Sequence, residues 1–107
     1  MSYLATEQCQ PLSEPLSLTA MESYLAQLAN WSIEEDSILK VFHFEDYMRM
    51  LAFIHAVGWM AQQQNHHPEV YFTNHDCTIS FTTHRVQALT MNDFICAAKV
   101  DALLHPL

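Results

Sequence analysis

Positive charge is scarce in this chain. Four Lys and Arg stand against twelve Asp and Glu, a formal charge of −8. A protein that tracks phosphates needs a basic stripe, so the balance argues against direct nucleic-acid binding. Cysteine is sparse too. Cys9, Cys77 and Cys96 are an odd, widely spaced set without a C-x-x-C pair, which argues against a disulfide framework and a thiolate zinc site. They read as small buried hydrophobes of a reducing compartment. No basic stretch leads into an apolar run at the start, so no secretory signal is expected. The most apolar stretch, Met50 to Met60, is about half of what a membrane span requires and contains His55. Repeats, low-complexity tracts and linkers are lacking. What remains is a single cytoplasmic domain over 1–107, with no membrane or nucleic-acid partner. Half its residues are hydrophobic and 15% are charged, a balance that leans toward a buried subunit interface.

Met1 to Leu18 holds Pro11 and Pro15 and has no clear period, which predicts a loose leader. Thr19-Ala20-Met21-Glu22 has capping-box spacing, and Met21, Tyr24, Leu25 and Leu28 follow on one helical face, so a first helix is expected from Thr19 to about Asn30. Trp31 to Glu34 and Ile38 to Phe44 read as two strands joined by the polar turn Glu35-Asp36-Ser37. Glu45 and Asp46 place carboxylates at the start of a long helix reaching about Gln64. Its middle is apolar nearly all round, so one side should meet a sheet and the other a partner subunit. Val70 to Thr73 is a short strand, and Thr78 to His84 alternates, with Ile79 and Phe81 on one face and Thr78, Ser80, Thr82 and His84 on the other. A last helix opens at Thr90-Met91-Asn92-Asp93, again with capping-box spacing. The order α-β-β-α-β-β-α predicts an α+β domain, a four-stranded antiparallel sheet with three helices packed on one face.

The chemistry centres on Asn65-His66-His67-Pro68-Glu69. Pro68 steers His67 out of helical geometry, so the long helix should end here and present both rings at its exit. Imidazole is the side chain best able to serve as acid or base near neutrality. With the helices on one sheet face, the other is free to line a pocket into which His84, Thr82 and Ser80 would look. Two histidines in opposite protonation states would divide the work of eliminating water from a small polar substrate. Each residue also has a plainer reading. Histidines near helix ends commonly satisfy carbonyls, polar strand faces are commonly solvated, and the default task of Asp93 is capping. His43, His55, His75 and His105 have no partner pattern and read as structural, and Trp31 and Trp59 as core or interface. Three imidazoles, His66, His67 and His84, also raise a metal site. Adjacent residues rarely converge on one ion, and neither an H-x-x-x-H pair nor an acidic fourth ligand is evident.

Taken together, Asn65-His66-His67-Pro68-Glu69, His84 after Thr82-Thr83, Asp93 opening the last helix, Trp31, and Phe42-His43-Phe44-Glu45-Asp46-Tyr47 resemble the signature of the pterin-4a-carbinolamine dehydratases. The likeness runs from Trp31 to Ala102. It implies the same α+β fold, homodimers or homotetramers, and dehydration of 4a-hydroxytetrahydropterin to quinonoid dihydropterin without cofactor or metal. That reaction would link the chain to an aromatic amino acid hydroxylase, whose tetrahydropterin it recycles. By the resemblance, His66 and His84 are the acid-base residues, while His67, Thr82, Thr83 and Asp93 bind substrate. The chain departs from the family pattern at Gln62, where a charged residue is usual, at Val70, where a tryptophan is common, and at Asn74, where an aromatic is usual. The alternative function on the same scaffold is a non-catalytic dimerisation or assembly partner, using the apolar long helix around Phe53, Val57 and Met60.

Overall fold

The computed structural model describes residues 4–11 and 14–104. Three helices and four strands follow one another as α1 (Leu18–Leu25), β1 (Ser32–Glu34), β2 (Ser37–His43), α2 (Tyr47–Gln64), β3 (Glu69–Phe72), β4 (Asp76–Phe81) and α3 (Met91–Ala102), preceded by a 3₁₀ turn at Leu4–Thr6. The strands form one antiparallel sheet in the order β1-β2-β4-β3. This is the α+β architecture expected from the element order.

Strand alternation decides which sheet face is covered. Ile38 pairs with Phe81 and Phe42 with Cys77 across the β2–β4 ladder, and these four, with Ile79, are buried. They form one core with Met50, Phe53 and Val57 of α2 and Phe94, Ala97 and Val100 of α3. Burying side chains of this size contributes roughly 1.5–3 kcal/mol each before conformational entropy is set against it. The opposite residues, Val41, Thr78 and Tyr71, meet across the sheet on its open side. Lys40 falls on the covered face, where Asp101 of α3 accepts hydrogen bonds from Lys40 Nζ and Trp31 Nε1 at 2.9 Å each. Pairing is what makes a charge tolerable there.

The helix starts follow their caps. Asp46 caps α2 by accepting from Met48 N–H at 2.8 Å, in line with the carboxylates expected at its start. In α1 the cap is Ser17, whose hydroxyl accepts from Ala20 N–H, so the helix begins two residues before the Thr19 box suggested and runs only to Leu25. Asn30 takes the left-handed conformation expected of it, though beyond the helix proper. Tyr24 docks α1 on α3, its ring 5.7 Å from that of Phe94.

Two expectations need correction. The leader is not loose over residues 4–11. Leu4 is buried, Lys99 Nζ donates to Ala5 O at 2.9 Å, and Asn92 exchanges hydrogen bonds with Gln10, accepting from its N–H and donating to its carbonyl. Pairing with polar groups of α3 holds this segment, and such pairing leaves no period to read. Second, β4 ends at Phe81, so His84 is not on a polar strand face. Thr83 N–H pairs with Ala88 O at 3.1 Å, and residues 84–87 form a turn closed by Gln87 at φ 52°.

The long helix buries Met50, Phe53, Val57, Met60 and Ala61 and leaves Trp59 62% exposed. One side meets the sheet as expected. The other carries His55, Gly58, Trp59 and Gln62 around a shallow cavity. Among the described residues no helix is long and apolar enough to cross a membrane.

Candidate active site

The exit of α2 sets the first wall of the site. Asn65, at φ 52° and ψ 41°, turns the chain in left-handed geometry, which Asn adopts more readily than most residues. Its N–H donates to Gln62 O, and His66 N–H reaches back to Ala61 O at 3.1 Å. The helix is therefore stopped by Asn65, three residues before Pro68. The reversal sends two adjacent imidazoles to different environments. His66 turns inward and lies parallel to the Phe81 ring, centroids 5.9 Å apart, while His67 remains exposed.

Behind His66 stands a buried polar network. Asp93 has no exposed surface. Its Oδ1 accepts from His66 Nε2 at 2.7 Å, and its Oδ2 accepts from the Thr83 hydroxyl at 2.7 Å and Thr90 N–H at 2.9 Å. The Thr83 hydroxyl has one hydrogen, which goes to Asp93, so at the 2.8 Å Thr83–Thr90 contact the Thr90 hydroxyl donates. The capping box of α3 is present, as its spacing suggested, but its Asp93 does more than cap. An ionised carboxylate only accepts, so it fixes the proton on His66 Nε2 and leaves Nδ1 for a ligand. Burial disfavours a charge on His66, yet the hydrogen bond and charge of Asp93, helped by Cys9, outweigh it and raise the pKa of the ring above the ordinary histidine value.

His66 opens onto a cavity of about 470 Å³, within the range of small-molecule sites. His66, His67, Thr82, Thr83 and His84 all line it. His84 enters from the turn after β4, exposed and with no side-chain hydrogen bond among the described residues. Asp93, expected to bind substrate, does not line the cavity; it lies buried behind it, bonded to His66, Thr83 and Thr90. Thr83 reaches the wall with its hydroxyl already committed to Asp93, and the Thr82 hydroxyl donates to Asp36 O. Ser80 is not part of the lining. His66, His67 and His84 share a cavity without converging as ligands, and among the described residues no group of three His, Cys, Asp or Glu is placed to hold a metal.

The remaining wall was not foreseen. Cys9, Gln10 and Pro11 of the docked leader, Gln64 and Asn65 of the helix exit, Arg85, and Asn92 complete it. Gln64 Oε1 anchors the leader by accepting from Cys9 N–H at 2.8 Å. Arg85 had a readable signal, being one of four basic residues and next to His84. Lys40 and Arg49 face carboxylates and Lys99 a carbonyl, whereas Arg85 has no such partner among the described residues. Of the departures, Gln62 lies on the other cavity, and Val70 and Asn74 do not line this one.

An α+β domain with one carboxylate-locked imidazole and two open ones around a cavity is equipped for proton transfer to a small bound molecule. Comparison gives that class its family. The family model described as pterin 4 alpha carbinolamine dehydratase matches residues 14–103. Proteins named as candidate pterin-4-alpha-carbinolamine dehydratases are similar to it. That of Hydrogenovibrio crunogenus is 37% identical over 106 residues, covering 94% of each chain. That of Nitrosospira multiformis is 39% identical over 105, covering 95% of this chain and 93% of its own. Among solved structures, a transcriptional coactivator/pterin dehydratase from Brucella melitensis superimposes with a TM-score of 0.82 at 23% identity, over 86% of this chain and all of that one. A pterin dehydratase-like protein described as a RuBisCO assembly factor in the alpha-carboxysome gives 0.57 at 23%, over 68% and 84%. The chain belongs to the pterin-4a-carbinolamine dehydratase family. The Cys9–Pro11 wall precedes the residues that the family model matches.

Proposed function

We propose that the protein dehydrates a 4a-hydroxytetrahydropterin to the quinonoid dihydropterin, with His66 and His84 dividing the proton transfers. The observation that carries this reading is the buried Asp93–His66 pair at the wall of a cavity shared with His84. Asp93 favours the imidazolium form of His66. In that form Nε2–H stays on Asp93 and Nδ1–H is available to protonate the leaving hydroxyl, which departs as water. His84 accepts the proton of the ring nitrogen next to C4a as the new double bond forms. Each such transfer is worth about 10²–10⁴ in rate. His67, Thr82 and Thr83 border the pterin. No metal or cofactor enters the scheme. The physiological setting this supports is recycling of tetrahydropterin for an aromatic amino acid hydroxylase in the cytoplasm, by a homodimer or homotetramer using the open side of α2.

Added to freshly generated 4a-carbinolamine, the wild type speeds the appearance of quinonoid dihydropterin, and the double variant His66→Ala/His84→Ala returns the rate to the spontaneous one. A wild-type rate no faster than the spontaneous reaction would overturn the reading. It would then favour the second one, a non-catalytic dimerisation or assembly partner. Phe53, Val57 and Met60, expected to carry that alternative, are buried in the core, so its surface would instead be exposed Met48, Trp59 and Tyr71; the likeness to a protein described as an assembly factor supports it too.

A further inference from the structure

Two cysteines that the proposed chemistry does not use meet beside the same cavity. Cys9, on the docked leader, lines it. Cys96, on α3, is fully buried. Their sulfurs lie 3.5 Å apart although 87 residues separate them. Cys9 Sγ is also 3.7 Å from Asn92 O, one helical turn before Cys96. The third cysteine, Cys77, is buried in β4, and its thiol makes no hydrogen bond among the described residues.

The two thiols of the pair are unequal. The hydrogen bond from Cys96 lowers the pKa of Cys9, and the charges of His66 and Lys99 act the same way, against its burial. The same bond, with burial, pushes Cys96 up. Burial alone takes Cys77 up to about 11. Thiolate character and access together select which cysteine reacts. Only Cys9 has both, and Cys96 is the one thiol within reach of it.

We propose that Cys9 and Cys96 are an oxidation site for small hydroperoxides, closing a reversible disulfide that fastens residues 4–11 to α3. With hydrogen peroxide the Cys9 thiolate attacks one peroxide oxygen. The O–O bond breaks, the other oxygen leaves as water with the thiol's proton, and Cys9 becomes a sulfenic acid. The Cys96 sulfur then attacks the Cys9 sulfur. The S–S bond forms as S–O breaks, and the hydroxyl departs with the Cys96 proton as a second water. One peroxide is reduced, two thiols are oxidised, and a dithiol reductant reverses the change. The sulfurs must close to about 2.05 Å, a movement that falls to Cys9 because it lies outside helix and strand while Cys96 is buried in α3. The product alters the cavity wall next to His66.

The site does not depend on the dehydratase reading, and its test uses no turnover. The reduced full-length protein is treated with equimolar hydrogen peroxide at neutral pH, its remaining thiols are alkylated, and it is digested with trypsin. Cleavage after Lys40, Arg49, Arg85 and Lys99 places Cys9, Cys77 and Cys96 on separate peptides. The expected product has lost two hydrogens, links peptide 1–40 to peptide 86–99, carries alkylated Cys77, and reverts with dithiothreitol. In Cys96→Ser a Cys9 sulfenic acid is trapped by dimedone, whereas in Cys9→Ser the Cys96 thiol stays reduced. Cys77→Ser leaves the crosslink unchanged. An unreacted Cys9, a Cys9 sulfinic acid beside reduced Cys96 in the wild type, or a crosslink to Cys77 or to another chain would each overturn the proposal.

Discussion

Among the described residues there are two histidine–aspartate pairs at nearly equal distance, His66 with Asp93 at 2.7 Å and His43 with Asp76 at 2.8 Å. Both rings have their pKa raised, His43 by the hydrogen bond it donates to Asp76 and His66 by Asp93 against the cost of burial. Their surroundings differ entirely. Side-chain exposure is 12% and 0% in the first pair and 62% and 57% in the second. Water screens the outer pair and can replace either partner. The inner pair has no such substitute, because Thr83, Thr90 and the Phe81 ring occupy the space around it. One constellation therefore fixes an imidazole at a cavity wall, and the other sits on the surface. The contact distance does not tell them apart; what surrounds it does.

Breaking the inner pair should have the largest effect. Asp93→Asn keeps the shape but turns an amide N–H toward His66 Nε2, which selects the wrong tautomer. Dehydratase turnover is expected to fall about 10²-fold or more, and the His66 pKa to drop in an NMR titration. Unfolding free energy should fall by roughly 1–3 kcal/mol as the buried donors lose their charged acceptor. The same pair carries a pH signature. Because the pKa of His66 is raised on folding, its contribution to stability is complete below the unfolded value of about 6.5 and is lost as pH rises through the folded value. In urea titrations, the stability gap between wild type and His66→Gln should therefore be widest near pH 6 and close on the alkaline side.

Smaller effects come from the turn that aims His66. Asn65→Ala places a Cβ-bearing residue without an amide in left-handed geometry and should cost about 1 kcal/mol, whereas Asn65→Gly should stay within a few tenths. Thermal melts of the two variants separate a conformational cost from a lost side-chain contact. Asp76→Asn is the smallest change. Melting temperature and turnover should remain those of wild type, with only the His43 titration moving back toward its ordinary value. A fall in turnover there would dissolve the contrast between the pairs.

Much of the fold was legible because patterning and caps agreed with it. The alternation of Ile79 and Phe81, the carboxylate of Asp46 and the Thr90 box all act locally, and each marks its element within a few residues. His66 and His84 stood out by residue type and resemblance, and both line the cavity. The end of β4 was not legible because Thr82 and Thr83, β-branched residues that suit a strand, follow Phe81, where the backbone leaves the ladder. The role of Asp93 was half visible. Capping-box spacing announces the bond to Thr90, while nothing local announces that its other oxygen meets an imidazole 27 residues away. The leader was unreadable for the same reason. Its hold on the domain comes from single polar contacts such as Gln10 with Asn92, which have no period.

Those contacts have a consequence for how the protein is made. The separations of Ala5 from Lys99 and Gln10 from Asn92 are 94 and 82 residues. During synthesis, residues 4–11 leave the ribosome before α3 and must wait for it before they have anything to dock on. Closing so long a loop is entropically costly and is favoured only once the rest of the domain has brought its ends together. The wall carrying Cys9 is therefore the last part of the cavity to assemble, and a nascent chain stalled before α3 holds His66 with neither Asp93 behind it nor a closed cavity in front.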